Sequence, residues 1–173
     1  MDNIKIYKTD SENARLANKR LRIVYDRSAE RPDKMMDLVF TFTRDEEEVP
    51  NDAIYTWDWY DNSDGTAYHF YTTEDRCREM VAEDSSYWSE EKLEKFEEEE
   101  RSLFEDWASG KVFGYVIEHW DEAQRKFVLE DSLWGMYGVD DLLDSIEDEI
   151  EGEDIVVCLD KTIGYVNGLE AID

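Results

Sequence analysis

Ten carboxylates carry the most suggestive chemistry in this chain. Glu90, Glu91, Glu94, Glu97 and Glu98 form one set, and Asp140, Asp141, Asp144, Glu147 and Asp148 a second. Within each set, steps of three and four residues put side chains on one face of a helix, about 5–6 Å apart at Cβ. That spacing is comparable to the phosphates along one strand of DNA. A basic groove evolved for a polyanion would gain similar Coulomb energy from such a face. Over residues 140–151 the polar positions are nearly all acidic, and no Lys or Arg relieves the Asp140–Asp144 or Asp144–Asp148 repulsion. Asp148, Glu149 and Glu151 also crowd the end where the helix dipole favours cations. The stretch 90–106 does mix signs, through Lys92, Lys95 and Arg101. A merely solvated face usually mixes signs, so sustained repulsion points to recognition of a basic partner.

Other constellations carry less. Aligned on Gly65, a Ca²⁺ loop would need acids where Tyr60 and Tyr71 stand. His69 and His119 are the only histidines and Cys77 and Cys158 the only cysteines, too few for a transition-metal cage, and no cofactor is expected. The cysteines read as reduced thiols, with Cys77 on the buried face of a helix and His69 as a hairpin residue. Gly135 and Gly138 lack the Lys-Ser/Thr of a phosphate loop. Tyr55, Trp57, Trp59, Tyr60, Tyr68 and Tyr71 lie near Asp58, Asp61 and Asp64, and aromatic platforms with paired carboxylates can bind and cleave sugars. Cross-strand packing is the simpler role for these rings. The Trp57–Asp64 hairpin stays open as an alternative, carboxylate-based site. Asp131 and Ser132 are adjacent and would point to opposite faces of a strand, so this segment reads as a structural turn anchored by Trp134.

The elements that must position these groups follow from periodicity. Asn3–Tyr7, Leu21–Tyr25 and Leu38–Thr43 read as strands, with Ser28–Lys34 a turn or loop around Pro32. Asp45–Asp52 is an acidic loop. Ile54–Tyr60 and Ala67–Tyr71 form a hairpin about the Asp61–Gly65 turn. Thr73 caps a short helix running to about Glu83. Ser89 caps a longer one whose apolar face is Leu93, Phe96, Leu103, Phe104 and Trp107, closed by Gly110. Val112–Trp120 and Lys126–Leu129 form a second hairpin. Val139, Leu142, Leu143, Ile146 and Ile150 trace one face of a third helix, and Ile155–Leu159 and Ile163–Val166 are closing strands. The order predicts an α+β fold, a mostly antiparallel sheet with about three helices packed on it.

Composition bounds the rest. The 173 residues suit a single domain spanning 1–173 and can bury a real core. Asp and Glu total 46 against 19 Lys and Arg, a net charge of -27, yet 41% of residues are hydrophobic and 13% aromatic. That describes a folded chain with a charged skin. Residues 1–44 are weakly basic, with ten cations against seven acids, and 45–173 hold nine against thirty-nine. Such a field attracts basic partners and disfavours nucleic acid and anionic membrane. The mixed, polar N-terminus and the absence of a long apolar run predict a cytoplasmic protein.

The run Asp106-Trp107-Ala108-Ser109-Gly110-Lys111-Val112-Phe113-Gly114-Tyr115-Val116-Ile117, followed by Asp131-Ser132-Leu133-Trp134-Gly135-Met136-Tyr137-Gly138, resembles a family of uncharacterised proteins carried by bacteriophages, prophages and plasmids. In that family a GxVYGyv strand precedes DSCWGFYG and an acidic helix. Glu30-Arg31-Pro32-Asp33 and the Leu38–Arg44 strand weakly resemble an earlier element. Leu133 stands where the family has Cys, and Met35-Met36-Asp37 where it has Trp-Asp-Asn. The resemblance implies a mobile-element setting and supplies no catalytic residues. Together with the acidic helices it predicts a non-enzymatic inhibitor of a host CRISPR effector or restriction enzyme, acting in the host cytoplasm by occupying a basic nucleic-acid-binding surface. The alternative is an interaction module that binds a basic host protein outside any nucleic-acid site.

Overall fold

The computed structural model describes residues 4–80 and 88–173. In chain order the elements are β1 (Ile6–Lys8), α1 (Glu12–Leu16), β2 (Lys19–Tyr25), α2 (Pro32–Met35), β3 (Thr41–Thr43), β4 (Ala53–Asp61), β5 (Thr66–Thr73), α3 (Glu74–Met80), α4 (Glu90–Ala108), β6 (Val112–Asp121), β7 (Lys126–Tyr137), α5 (Val139–Ile150) and β8 (Val156–Leu159). The fold is α+β and dominated by sheet. Where the sequence suggests a single domain, the chain divides into two compact units. Met1–Ala29 and Gly110–Asp173 build the first, and Glu30–Ser109 the second. The change from basic to acidic sequence at Arg44 therefore falls inside the second unit.

The first unit holds a five-stranded mixed sheet in the order β1-β8-β2-β6-β7. β8 runs parallel to both β1 and β2, whereas β2, β6 and β7 are antiparallel. Alternation in β2 decides its two faces. Leu21 and Ile23 enter a core with Phe113, Tyr115, Ile117 and Val157, against which α5 lays Leu142 and Ile146. Arg20 and Arg22 point the other way and meet Glu118: Arg20 Nε lies 2.8 Å and Arg22 Nη2 3.0 Å from its carboxylate, and Arg22 Nη1 lies 2.6 Å from Asp160. The Arg20 guanidinium also covers the Phe127 ring at 3.6 Å.

Two expectations fail in this unit. Asp131–Tyr137, including the Asp131–Gly135 segment expected to turn, is the second half of β7; the strand runs on because two register shifts absorb its extra residues. Gly135, at φ +79°, supplies the left-handed residue that the bulge needs. Trp134 is no buried anchor, being 48% exposed, and its ring lies against Gly114, where a Cβ would come within 2.4 Å of Cε3. Ile163–Val166 is not a strand either. Ile163 N donates to Asp160 O, a turn that still buries Ile163 and Val166. The backbone that joins β1 on that side comes from Ile172.

In the second unit β3, β5 and β4 form an antiparallel sheet with β5 in the middle. Trp57 stacks on Phe70 with ring centres 3.8 Å apart, Trp59 stacks on Tyr68, and Phe104 of α4 meets Phe70 edge-on. Ser28–Lys34, expected to be a loop, contains the start of α2, where Pro32 occupies the first turn and needs no N–H partner. Thr73 Oγ1 accepts from Arg76 N at the start of α3, as its capping role predicts. The expected end of that helix near Glu83 lies outside the described residues. Leu38–Thr43 is strand only from Thr41, because the N–H groups of Val39 and Phe40 are taken by a side chain of α4.

Candidate protein-interaction surface

α5 is built as its periodicity requires. Gly138, at φ +87°, turns the chain out of β7 and precedes Val139. Leu142 and Ile146 are wholly buried, with Val139, Leu143 and Ile150 partly buried beside them. This fixes the rotation of the helix, so Asp140, Asp141, Asp144, Glu147, Asp148, Glu149 and Glu151 are all exposed. Asp141 also serves the fold, because its Oδ2 accepts from Tyr137 N at 3.2 Å. The Tyr115 hydroxyl lies 3.4 Å from Glu149. Among the described residues, no Lys or Arg nitrogen stands within 4.0 Å of the carboxylates of Asp140, Asp144, Glu147 or Asp148. All five sequence-nominated residues on this helix are thus exposed, and Asp140, Asp144, Glu147 and Asp148 are unneutralised at that range, as is Asp141 despite its bond to the Tyr137 amide.

α4 treats its acids differently. Ser89 Oγ accepts from Lys92 N at 3.2 Å, and Glu90 and Glu91 occupy the first turn, where the dipole welcomes them. Glu90, Glu91, Glu94 and Glu98 are exposed. Glu97 is not a free surface carboxylate. It accepts from the Tyr55 hydroxyl at 2.5 Å and pairs with Arg101 one turn on. The Glu97 hydrogen bond, followed by burial and the fields of Glu97, Glu94 and Glu90, pushes the Tyr55 hydroxyl up to about 12. Arg101 also donates to Asp58 O at 2.9 Å and lies over the Trp57 ring at 4.6 Å.

Glu100 is the residue that sequence reasoning passed over. It is 6% exposed; Oε1 accepts from Val39 N at 2.5 Å and Oε2 from Phe40 N at 3.1 Å. The carboxylate thus takes the place of a neighbouring strand for two consecutive amides. Burial outweighs these hydrogen bonds and the nearby Arg76, and raises the carboxyl to about 7. A signal was present in the sequence, since Glu100 lies seven residues beyond Leu93 and four before Phe104, in register with the apolar face.

The hairpin is occupied by its own architecture. Trp57 and Trp59 are core residues, while Asp61 Oδ1 accepts from Ser63 N and Oγ to shape the turn. Asp64 accepts from Thr66 N, and Asp58 Oδ1 lies 2.8 Å from His69 Nδ1. Cys77 and Cys158 are buried free thiols, the latter pushed up to about 11 by burial. Among the described residues, no group of three or more His, Cys, Asp or Glu side chains converges as a metal site, and no helix is long and apolar enough to cross a membrane. Comparison with protein-family models, curated proteins and solved structures finds no match to this chain.

Proposed function

We propose that this protein is a mobile-element inhibitor that blocks a basic, nucleic-acid-binding host defence enzyme through the acidic face of α5. The observation that carries this reading is the row Asp140, Asp144, Glu147 and Asp148, exposed on a helix whose buried face is fixed and whose acids lack close cations among the described residues. A partner's groove lined by Lys and Arg replaces repulsion along this row with attraction and releases its own bound anions. Glu90, Glu91, Glu94 and Glu98 of α4 offer a second exposed row, interspersed in sequence with Lys92 and Lys95. The resemblance of the Gly110–Ile117 and Asp131–Gly138 segments to phage-borne proteins supplies the mobile-element setting.

The test is a combined variant carrying Asp140→Lys, Asp144→Lys, Glu147→Lys and Asp148→Lys. Asp141 is left alone because it accepts from the Tyr137 amide. Tagged wild-type protein should retain a basic nucleic-acid-binding protein from host extract, release it steeply with salt, and lose it to added DNA or RNA. The variant should fold and retain nothing. A partner that DNA and RNA fail to displace would favour binding outside any nucleic-acid site. A partner retained equally by the folded variant would sink the α5 reading.

A further inference from the structure

We infer that the end of α5 holds an anchoring cleft for a partner segment in which an apolar side chain is flanked by Arg or Lys; this rests on the reading that α5 is the partner-binding face. A cleft of about 580 Å³ opens between the last turn of the helix and the β1–β8 pair. Ile4, Ile150 and Ile155 give it an apolar floor, each only partly buried although packed on the core of the unit. Glu147, Asp148 and Glu151 form its rim. Lys5 is also at the mouth, but no acid oxygen lies within 4.0 Å of its ammonium among the described residues.

Charge complementarity selects the occupant. At a net charge of -27, a second copy of this chain or a nucleic acid would bring like charge to an acidic rim. A basic segment brings the opposite sign, and an apolar side chain beside its cations can enter the floor while the cations reach the rim, as long basic side chains do at other apolar surfaces. The field of α5 supplies attraction at a distance, and the cleft supplies the short-range contact that a uniform acidic face lacks.

Two short labelled peptides of equal length and charge test this, one alternating Arg with Leu and one alternating Arg with Ser, read by fluorescence anisotropy on the full chain. The Arg–Leu peptide is expected to bind roughly tenfold more tightly, the ratio that burying about two CH₂ groups provides. Ile155→Ala should shrink that ratio, and Lys5→Ala should tighten both peptides by removing a like charge. Methyl NMR of the wild-type chain should place the Arg–Leu contact on Ile4, Ile150 and Ile155, a readout that does not depend on any variant folding. Equal affinity of the two peptides, or shifts confined to other methyls, overturns the cleft while leaving the acidic face standing. If neither peptide binds, the α5 reading falls with it. Spermine binding as tightly as the Arg–Leu peptide overturns the peptide occupant.

Discussion

The two acidic helices look alike in sequence and behave differently once folded. α4 uses its acids to build its own unit: Glu97 holds Tyr55 and Arg101, and Glu100 is buried against the amides of Val39 and Phe40. α5 sends its apolar face into the core and leaves almost every carboxylate in solvent. Acidic composition is therefore not the same as available charge. A carboxylate that satisfies buried donors is part of the fold, and only one without such partners is free to recognise another molecule.

Phe104→Ala should destabilise by about 3–5 kcal/mol, since its ring is wholly buried against Phe70 and Trp59. Glu100→Ala should cost about 2–4 kcal/mol, because two buried amides lose their acceptor. Urea unfolding of each variant measures both. A change near zero for Glu100→Ala would place that residue with the dispensable surface acids and erase the contrast. Leu142→Ala on α5 should cost about 2–5 kcal/mol by the same cavity logic, showing that the two helices differ in their polar faces and not in their packing.

The pH dependence sharpens the contrast further. Glu100 rises from its ordinary 4.5 to about 7 in the folded chain, so the folded state binds more protons across that interval. Its contribution is complete below the unfolded value and is lost as pH rises through about 7. Urea midpoints should therefore increase on going from about pH 7.5 to about pH 5.5, and Glu100→Gln should flatten part of that slope. An unchanged slope would assign it to the dispersed surface acids instead. The first unit responds in the opposite sense at lower pH. Burial alone would raise Glu118, but hydrogen bonds from Arg22 and Arg20 outweigh it and hold the carboxyl below its usual range. Asp160 is likewise held low against burial, by Thr162 and Arg22. The stability these two supply is present above the ordinary carboxylate range and is lost as pH falls through their depressed values.

The smallest effect belongs to α5 itself. Asp144→Lys should leave stability within about 0.5 kcal/mol of wild type, or raise it slightly by relieving repulsion one turn away. A thermal scan at low and high salt checks this, and added salt should narrow any gain. Marked destabilisation would mean that the acidic face is structural after all.

Sequence periodicity alone determined the α+β class, the β4–β5 hairpin, the span of α5 and its buried face. It did so because each depends on residues close in the chain, whose spacing records which side meets the core. The sets at 90–98 and 140–148 were legible for the same reason. Which of those acids are free was not legible, since Glu97 and Asp141 are committed by Tyr55 and the Tyr137 amide, and neither was the burial of Glu100 against the Val39 and Phe40 amides. The basic character of residues 1–44 also read as a regional property. In the fold Arg20 and Arg22 meet Glu118 and Asp160 from far along the chain, so much of that excess is cancelled locally. The division into two units, the parallel insertion of β8 between β1 and β2, and the bulged continuation of β7 were decided by long-range pairing. Composition and local spacing cannot encode those partners, because strand neighbours are selected only when distant segments compete for the same backbone donors and the same apolar face.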